Sequence, residues 1–527
     1  MTQPLRRFLL GFLGVLFVLA LCAPFGRAQD TPPPADTAPV QTAAPADAPG
    51  PGAEASPGGA DPSRAGEAQA APTPPKKVKL GGLRDGEMET TWGQRAQSLL
   101  GLAVLVGICF LMSNNRGAVS WRLVAWGVGL QITLGMFVLN TGVGHWLFKQ
   151  VNTLFTALMK CTEKGSSFLF GNLALANNVP VGPGGPHGPV DASAGHMAEV
   201  GSYFAFNVLP TIIFFSALMA VLYHLGVMQL IVRGVAWCMQ RTMGTSGSET
   251  LSASGNIFVG QTEAPLLVRP FVGKMTQSEL MAVMTGGFAT VAGGVMAAYV
   301  GFLQGYFTNI AGHLLSASVM SAPAALVCAK LIVPEPDPTK SETYGTLKAN
   351  LEKIDANVID AAARGAGEGL KLALNVGAML LAFLALIALL NSMLGLAGGL
   401  VGIEGLSLEM ILGKLLAPLA WLLGVPWEDA GHVGQLIGMK TAANEFVAYL
   451  NLAAMLGDDQ IQHSRSVIIA TYALCGFANF GSIAIQIGGI SGIAPERRSD
   501  LAKLGMRAMI GGTIAALMTA AVAGLLI

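Results

Sequence analysis

A pair of short motifs occurs twice in this chain, and the two copies decide how it folds. The first copy is GQTE at Gly260–Glu263 followed by GFAT at Gly287–Thr290, and the second is TAANE at Thr441–Glu445 followed by GFAN at Gly476–Asn479. Each copy places a glutamate in an apolar segment that Gly and polar residues interrupt, and each following apolar stretch carries a Gly-Phe-Ala-polar break. The pattern predicts an internal repeat built from two broken, carboxylate-bearing segments.

The composition places this repeat in a membrane. Of 527 residues, 52% are hydrophobic and only 12% are charged, about half of the roughly 25% found in soluble proteins. Thirty-one Lys and Arg balance thirty-one Asp and Glu, which argues against a nucleic-acid binder because such proteins show a basic excess. The chain is therefore predicted to be a polytopic membrane protein and not a soluble enzyme.

Long apolar stretches define the predicted spans, since about 20 such residues cross the hydrocarbon core. We expect an all-α fold with about eight transmembrane helices, two re-entrant hairpins at 245–270 and 431–456, and interfacial helices at 226–242 and 346–372. The eight predicted spans are 97–113, 121–140, 202–224, 280–305, 311–333, 375–400, 465–489 and 505–526.

The N-terminal residues are predicted to lie outside the membrane core. Residues 1–28 have the basic start, short apolar run and small-residue end of a signal peptide, and 29–78 form a Pro/Ala-rich tether too polar to fold. The remaining predicted domains are 79–200 (N-terminal membrane segments and outer loop), 201–333 (first transport repeat), 334–374 (cytoplasmic loop and interfacial helix) and 375–527 (second transport repeat).

The loop charges set the predicted topology. Cytoplasmic loops carry an excess of Lys and Arg, and a cleaved signal leaves the mature N-terminus outside. The predicted inner segments then hold Arg116, Arg122, Arg233, Arg241, Lys340, Lys348, Lys353, Arg364, Arg497, Arg498 and Lys503, and the predicted outer loops hold Glu404, Glu409, Glu428 and Asp429. Eight spans return the C-terminus to the periplasmic side of a bacterial inner membrane, and the two hairpins enter from opposite faces.

Opposed hairpins at membrane depth are the signature of inverted-repeat secondary transporters, whose site lies between the repeats. A carboxylate buried there is costly, so Glu263 and Glu445 need a reason, either ligand contact or a bond that ties a hairpin tip to a neighbouring helix. The neighbouring polar side chains are open to the same two interpretations, ligand contact or helix capping and interhelical bonding; they are Asn256, Gln261, Thr262, Asn479 and Ser482.

Five longer strings resemble the concentrative nucleoside transporter family. They are LPTIIFFSALMAVLYHLG (Leu209–Gly226), SGNIFVGQTEAPLLVRPF (Ser254–Phe271), MTGGFATVAG (Met284–Gly293), KTAANEFVAYLNL (Lys440–Leu452) and YALCGFANFGSIAIQIGG (Tyr472–Gly489). The resemblance covers about residue 95 to the end of the chain.

The resemblance implies a role for each candidate site residue. The nucleobase is expected at Gln261, Thr262 and Glu263, with Phe477 against the base and Val295 as an apolar wall. The ribose is expected at Glu445, Asn479 and Ser482, and the coupling sodium ion at Asn256, Val259, Thr290 and Val291, partly through backbone carbonyls. The resemblance also implies a homotrimer surrounded by membrane lipid.

The residues themselves agree with this assignment and leave alternatives open. A carboxylate and an amide together can bond two ribose hydroxyls, and neutral oxygens such as those of Asn256 and Thr290 suit a monovalent cation. Protease motifs are absent from the sequence, and we expect no catalysis. We expect sodium-coupled nucleoside import; the alternatives are proton coupling through Glu263 or Glu445, and a dicarboxylate transporter, which would need an Arg in its site.

Overall fold

The computed structural model describes residues 90–174, 179–180, 197–198, 204–307, 309–344, 355–400, 402–403 and 405–527. The predicted signal peptide and tether lie outside these residues. The described chain is almost entirely helical, and its strands are one two-residue antiparallel pair, β1 (Val179–Pro180) and β2 (Met197–Ala198).

The helices of the described residues are numbered here in chain order. They are α1 (Trp92–Leu111), α2 (Trp121–Asn140), α3 (Gly142–Phe170), α4 (Phe204–Asn207), α5 (Leu209–His224), α6 (Val227–Met243), α7 (Gly247–Asn256), α8 (Arg269–Val272), α9 (Gln277–Ala289), α10 (Gly293–Leu303), α11 (Ile310–Ile332), α12 (Val358–Leu400), α13 (Leu408–Leu422), α14 (Trp427–Ala442), α15 (Glu445–Gly457), α16 (Ser464–Leu474), α17 (Phe480–Ile493) and α18 (Arg498–Leu526).

Seven helical segments of the described chain are long and apolar enough to cross a membrane, and each coincides with a predicted span. The α13–α14 pair, bent by 115°, raises the count to eight if it is one broken span. The remaining predicted span, 465–489, is divided between two short helices, α16 and α17. These helices confirm the all-α polytopic fold.

Two helices differ from the sequence expectation. The prediction of a separate interfacial helix at 346–372 was wrong, because the helical part of its described residues belongs to the 43-residue α12. The first turns of α12 pack closely on α5, since a Cβ at Gly365 would lie 2.8 Å from the Ala217 Cα. This contact stabilises the helix in the residues that precede its apolar run. The 29-residue α3 was not predicted, because Lys149 and Lys160 interrupt its apolar pattern. The interfacial stretch predicted at 226–242 is helical, as α6.

The two motif copies form matching structures. Hairpin 1 consists of α7, a turn and the short segment 264–272, and hairpin 2 consists of α14 and α15 joined by Ala443 and Asn444. The next span of each repeat is broken, between α9 and α10 in the first and between α16 and α17 in the second.

The two breaks pack against one another. Gly476 has a φ of +140°, and a Cβ there would lie 2.8 Å from the Phe288 carbonyl oxygen and 3.0 Å from that of Ala289. Only glycine fits this conformation without strain, so the second break can approach the first. Two spans of the first repeat lie inside the protein, since 83% of the residues are buried in the most apolar 18-residue window of Gln277–Leu303 and 89% in that of α11. In the same measure only 17% of the residues of α12 are buried, so α12 lies at the periphery.

Candidate functional site

Capping side chains begin one helix in each hairpin. At the base of hairpin 1, the Ser246 amide donates to Glu249 Oε1 at 2.7 Å. At the tip of hairpin 2, Asn444 Oδ1 accepts from the Val447 amide at 2.9 Å and begins α15. Polar groups at these positions satisfy the helix-end amides that a membrane cannot hydrate, so the hairpins are stable at depth.

Glu445 is held by hydrogen bonds from two other elements. Its side chain is buried, with Oε1 accepting from the Tyr299 hydroxyl at 3.0 Å and Oε2 from Asn479 Nδ2 at 3.1 Å. Tyr299 also stacks on Tyr449, with ring centroids 4.3 Å apart. The carboxylate is therefore fixed between hairpin 2, α10 of the first repeat and the break of the second.

Asn479 caps a helix and also contacts another candidate residue. Its Oδ1 accepts from the Ser482 amide at 2.9 Å and begins α17, while its Nδ2 donates to Glu445. Of the two interpretations left open for Asn479, the structure therefore shows capping and interhelical bonding, and the cap fixes the amide in the orientation that reaches the carboxylate.

The tip of hairpin 1 meets the second repeat through side-chain amides. Gln261 Nε2 donates to Ser482 Oγ at 3.2 Å, and Gln261 Oε1 accepts from Gln486 Nε2 at 3.1 Å. Gln486 Nε2 also donates to the Met284 carbonyl at 3.1 Å, while its buried Oε1 has no partner. The structure thus brings Gln261, Ser482, Asn479 and Glu445 into one connected polar cluster.

Glu263 lies apart from this cluster. Its side chain is exposed and lines a cavity of about 200 Å³ together with Tyr223, Arg364 and Glu368. A side chain at Gly260 would collide with the Glu263 carboxylate, so the glycine leaves room for it in the turn.

The remaining candidates for the base site are placed as follows. Thr262 contacts α17, where a Cβ at Gly489 would lie 2.9 Å from Thr262 Cγ2. Val295 and Phe477 are buried in the hydrophobic core. The hairpin-1 string therefore splits, with Gln261 and Thr262 directed to α17 and Glu263 directed to the cavity.

The four residues expected at the sodium ion are all buried around the first break. Asn256 Nδ2 donates to the Ser252 carbonyl at 3.1 Å, while its buried Oδ1 accepts no hydrogen bond from the part of the chain that the structure describes. Thr290 Oγ1 donates to the Gly286 carbonyl at 2.9 Å, and a Cβ at Gly286 would lie 3.3 Å from Asn256 Nδ2, so both side chains face one turn of α9. Val259 and Val291 are buried beside them in sequence.

The donor set at this break fits a hard monovalent cation. The Ser252 and Thr285 hydroxyl oxygens are also buried without a hydrogen-bond partner among the described residues, and all of these oxygens are neutral. Within the described part of the chain no three His, Cys, Asp or Glu side chains come together as a metal site. Divalent ions favour carboxylate-rich sites, so an orphaned amide oxygen with neutral neighbours suits sodium better.

Sequence reasoning missed several residues of the site. Tyr299 and Gln486 are single polar groups inside apolar helices. The apolar residues around them indicated a helix but did not indicate that these two side chains belong to the site. Arg364 was placed in a cytoplasmic loop, yet it lines the Glu263 cavity, where its guanidinium bonds Asp355 twice, at 2.6 and 3.0 Å, and Glu368 once, at 2.9 Å. Its donors are committed to two carboxylates, and this leaves it unsuited to hold a dicarboxylate substrate.

Comparison with known proteins gives the same family over most of the chain. Family models described as "Na+ dependent nucleoside transporter N-terminus", "Nucleoside recognition" and "Na+ dependent nucleoside transporter C-terminus" match residues 100–173, 205–305 and 313–524. An uncharacterised transporter of Bacillus subtilis (strain 168), YutK, is 43% identical over 440 residues, which are 84% of this chain and 100% of the relative.

A named relative and a solved structure agree with this match. Sodium/nucleoside cotransporter 1 of Rattus norvegicus is 43% identical over 441 residues, 81% of this chain but only 63% of the relative's length. The structure of CNTnw in an inward-facing substrate-bound state is 43% identical, with a TM-score of 0.72 over 82% of this chain and 97% of that one. The chain therefore belongs to the Na⁺-dependent nucleoside transporter family.

Proposed function

We propose that this protein is a secondary active transporter that imports nucleosides across the bacterial inner membrane by symport with sodium. The observation that carries the proposal is the polar cluster in which Gln261 of hairpin 1 meets Ser482, Asn479 and Glu445 of the second repeat. A site built from both repeats can be exposed to either side of the membrane as the repeats move, which transport requires.

The chemistry of the cluster suits a nucleoside. The carboxylate of Glu445 accepts hydrogen bonds, the Asn479 amide both donates and accepts, and the Ser482 hydroxyl does either, which matches two vicinal ribose hydroxyls. Gln261, Thr262 and Glu263 offer the mixed donors and acceptors that a base edge needs, with Phe477 and Val295 as apolar surfaces. Because binding and release suffice, none of these residues is assigned a catalytic role.

Sodium is proposed as the coupling ion at Asn256, Val259, Thr290 and Val291. The support is the buried Asn256 Oδ1 at the first break, which accepts no hydrogen bond from the described residues. Proton coupling through Glu445 is the less favoured candidate, because both of its oxygens already accept hydrogen bonds from neutral side chains.

The assembly and orientation are also part of the proposal. A homotrimer in membrane lipid is consistent with the peripheral α12, whose apolar surface is largely uncovered in the single chain. The mature N-terminus and the C-terminus are proposed to lie on the periplasmic side. Crosslinking in mild detergent is expected to give trimers, and exclusively monomeric protein would argue against the assembly.

The test of the substrate class is uptake into vesicles that contain the purified protein. With an inward sodium gradient, labelled uridine is expected to enter and labelled succinate is not. Uptake of succinate but not uridine would replace the proposal with a dicarboxylate transporter.

A further inference from the structure

Lys440 is a buried cation that the proposed function does not use. It lies in the last turn of α14, one turn before the tip of hairpin 2, and its side chain is 1% exposed. In the described chain its Nζ makes one hydrogen bond, to the Ala473 carbonyl at 2.9 Å, and no carboxylate lies within 4.0 Å of it. A charged group buried with so little compensation is costly, so its retention calls for a reason.

The partner of Lys440 lies at the end of α16, where the second repeat is broken. The last carbonyls of a helix have no intrahelical partner and carry partial negative charge. Tyr449 donates to the Thr471 carbonyl at 2.8 Å, and Lys440 donates to that of Ala473, so both groups cap this helix end. The ammonium therefore holds hairpin 2 against the break of its own repeat.

In the first repeat the buried cation Lys330 bonds the base of hairpin 1, and no Lys or Arg among the described residues bonds the corresponding break. There the Met284 and Gly286 carbonyls accept from neutral side chains, and the oxygens of Asn256, Ser252 and Thr285 are buried without partners. In contrast, the described residues of hairpin 2 and α16 hold no buried side-chain oxygen that lacks a partner. The first break therefore has buried oxygens without partners among the described residues, and the second is capped by a buried cation.

The charges of the two hairpins follow the same division. In hairpin 1, Glu263 is exposed and makes no ion pair with the described residues. In hairpin 2, Glu445 and Lys440 are both buried and lie on either side of the tip. Hairpin 2 thus carries a buried cation near its buried glutamate, whereas the basic residue of hairpin 1, Arg269, is exposed.

We propose that Lys440 is the built-in cation of the second repeat, a positioning residue that holds hairpin 2 to its break as sodium would hold hairpin 1. This inference rests on the proposed function. Its consequence is that one sodium ion, and not two, moves with each nucleoside, because only the first repeat must take its cation from solution.

The test compares Lys440→Ala, Lys440→Met and Lys440→Arg with the parent as full-length purified protein. Uridine binding is measured against sodium concentration, with gel filtration and circular dichroism as checks of folding. Loss of the charge in the Ala and Met variants is expected to weaken uridine binding roughly 5- to 150-fold, the range of typical coupling between sites. The Arg variant, which keeps the charge, is expected to retain most of the affinity.

Chemical rescue separates a cation role from a merely structural one. In Lys440→Ala the vacated space is expected to admit methylammonium, which restores uridine binding, or a second sodium ion, which makes the sodium dependence steeper. Lys440→Met fills the space with a neutral chain of similar length, and neither change is expected there. Parental affinity in the Ala and Met variants, or weak binding in the Ala variant that no cation restores, would overturn the proposal.

A measurement on the parent protein tests the consequence even if no variant folds. The fluxes of labelled sodium and labelled uridine into the same vesicles are expected in a ratio of one to one. A ratio of two to one would overturn the inference while leaving the proposed transport intact, whereas absence of uridine flux would overturn the proposed function itself.

Discussion

Replacing Glu445 by Gln removes the charge at the centre of the proposed ribose site and keeps the shape of the side chain. Each carboxylate oxygen now accepts one hydrogen bond, from Tyr299 at 3.0 Å and from Asn479 at 3.1 Å. A glutamine has one acceptor oxygen, so its NH₂ group must face one of these two donors.

The size of the effect follows from the bonds that are lost. One hydrogen bond to a charged group contributes about 1.5–3 kcal/mol, and the proposed ribose contact uses the same carboxylate. If this loss appears in substrate binding, the Kd for uridine rises roughly 10- to 150-fold at saturating sodium.

The assay is equilibrium binding of labelled uridine to purified protein. Glu428→Gln is the matched control, because Glu428 is an exposed carboxylate at the start of hairpin 2, and it is expected to bind as the parent does. A Glu445→Gln variant that folds normally and binds uridine within twofold of the parent would refute the placement of the ribose at this carboxylate.

Three further changes probe other parts of the molecule. Asn256→Ala or Thr290→Ala is expected to raise the sodium concentration for half-maximal uptake with little change at saturating sodium, because each removes an oxygen from the proposed ion site; an unchanged sodium dependence would contradict that site. Gly476→Ala is expected to destabilise the fold by about 1–3 kcal/mol, measured as a lower melting temperature, because its φ of +140° and its contact with the first break exclude a Cβ. Hydrogen bonds from Arg364 hold the pKa of Asp355 below its usual range. The ion pair therefore stabilises the folded protein fully above the unfolded pKa of about 3.9, and this stabilisation is lost as the pH falls through the lower folded pKa. The melting-temperature difference between the parent and Asp355→Asn should therefore persist from about pH 5 to 8 and shrink below about pH 4, and a difference that grows in acid would contradict the contact.

The sequence predicted the repeat well, because each of its motifs consists of residues that are neighbours in the chain. A glutamate or a Gly-Phe-Ala-polar break inside an apolar run is unusual, and both copies fold into broken elements at the positions that the motifs indicate. Seven apolar runs were likewise predicted correctly as helices long and apolar enough to cross a membrane, since length and hydropathy are local properties of the sequence.

The rest depended on contacts between distant residues. The interruption by Lys149 hid α3, and the close packing of Gly365 on α5 extended α12 beyond the apolar run that predicted it. Nothing local indicates that Tyr299 would reach Glu445, 146 positions away, or that the Lys440 ammonium would be buried at the end of α16. Glu263 and Gln261 are two residues apart in one motif, yet the turn directs them to different surfaces.

Whether a sodium gradient drives nucleoside accumulation can be measured as uridine uptake into sealed vesicles. An imposed inward sodium gradient is expected to raise internal uridine transiently above the external concentration, and collapse of that gradient by a sodium ionophore is expected to abolish the excess. A proton gradient in sodium-free buffer is expected to give no accumulation. Uridine that only equilibrates under a sodium gradient, or that accumulates at the full rate on a proton gradient alone, would contradict the account.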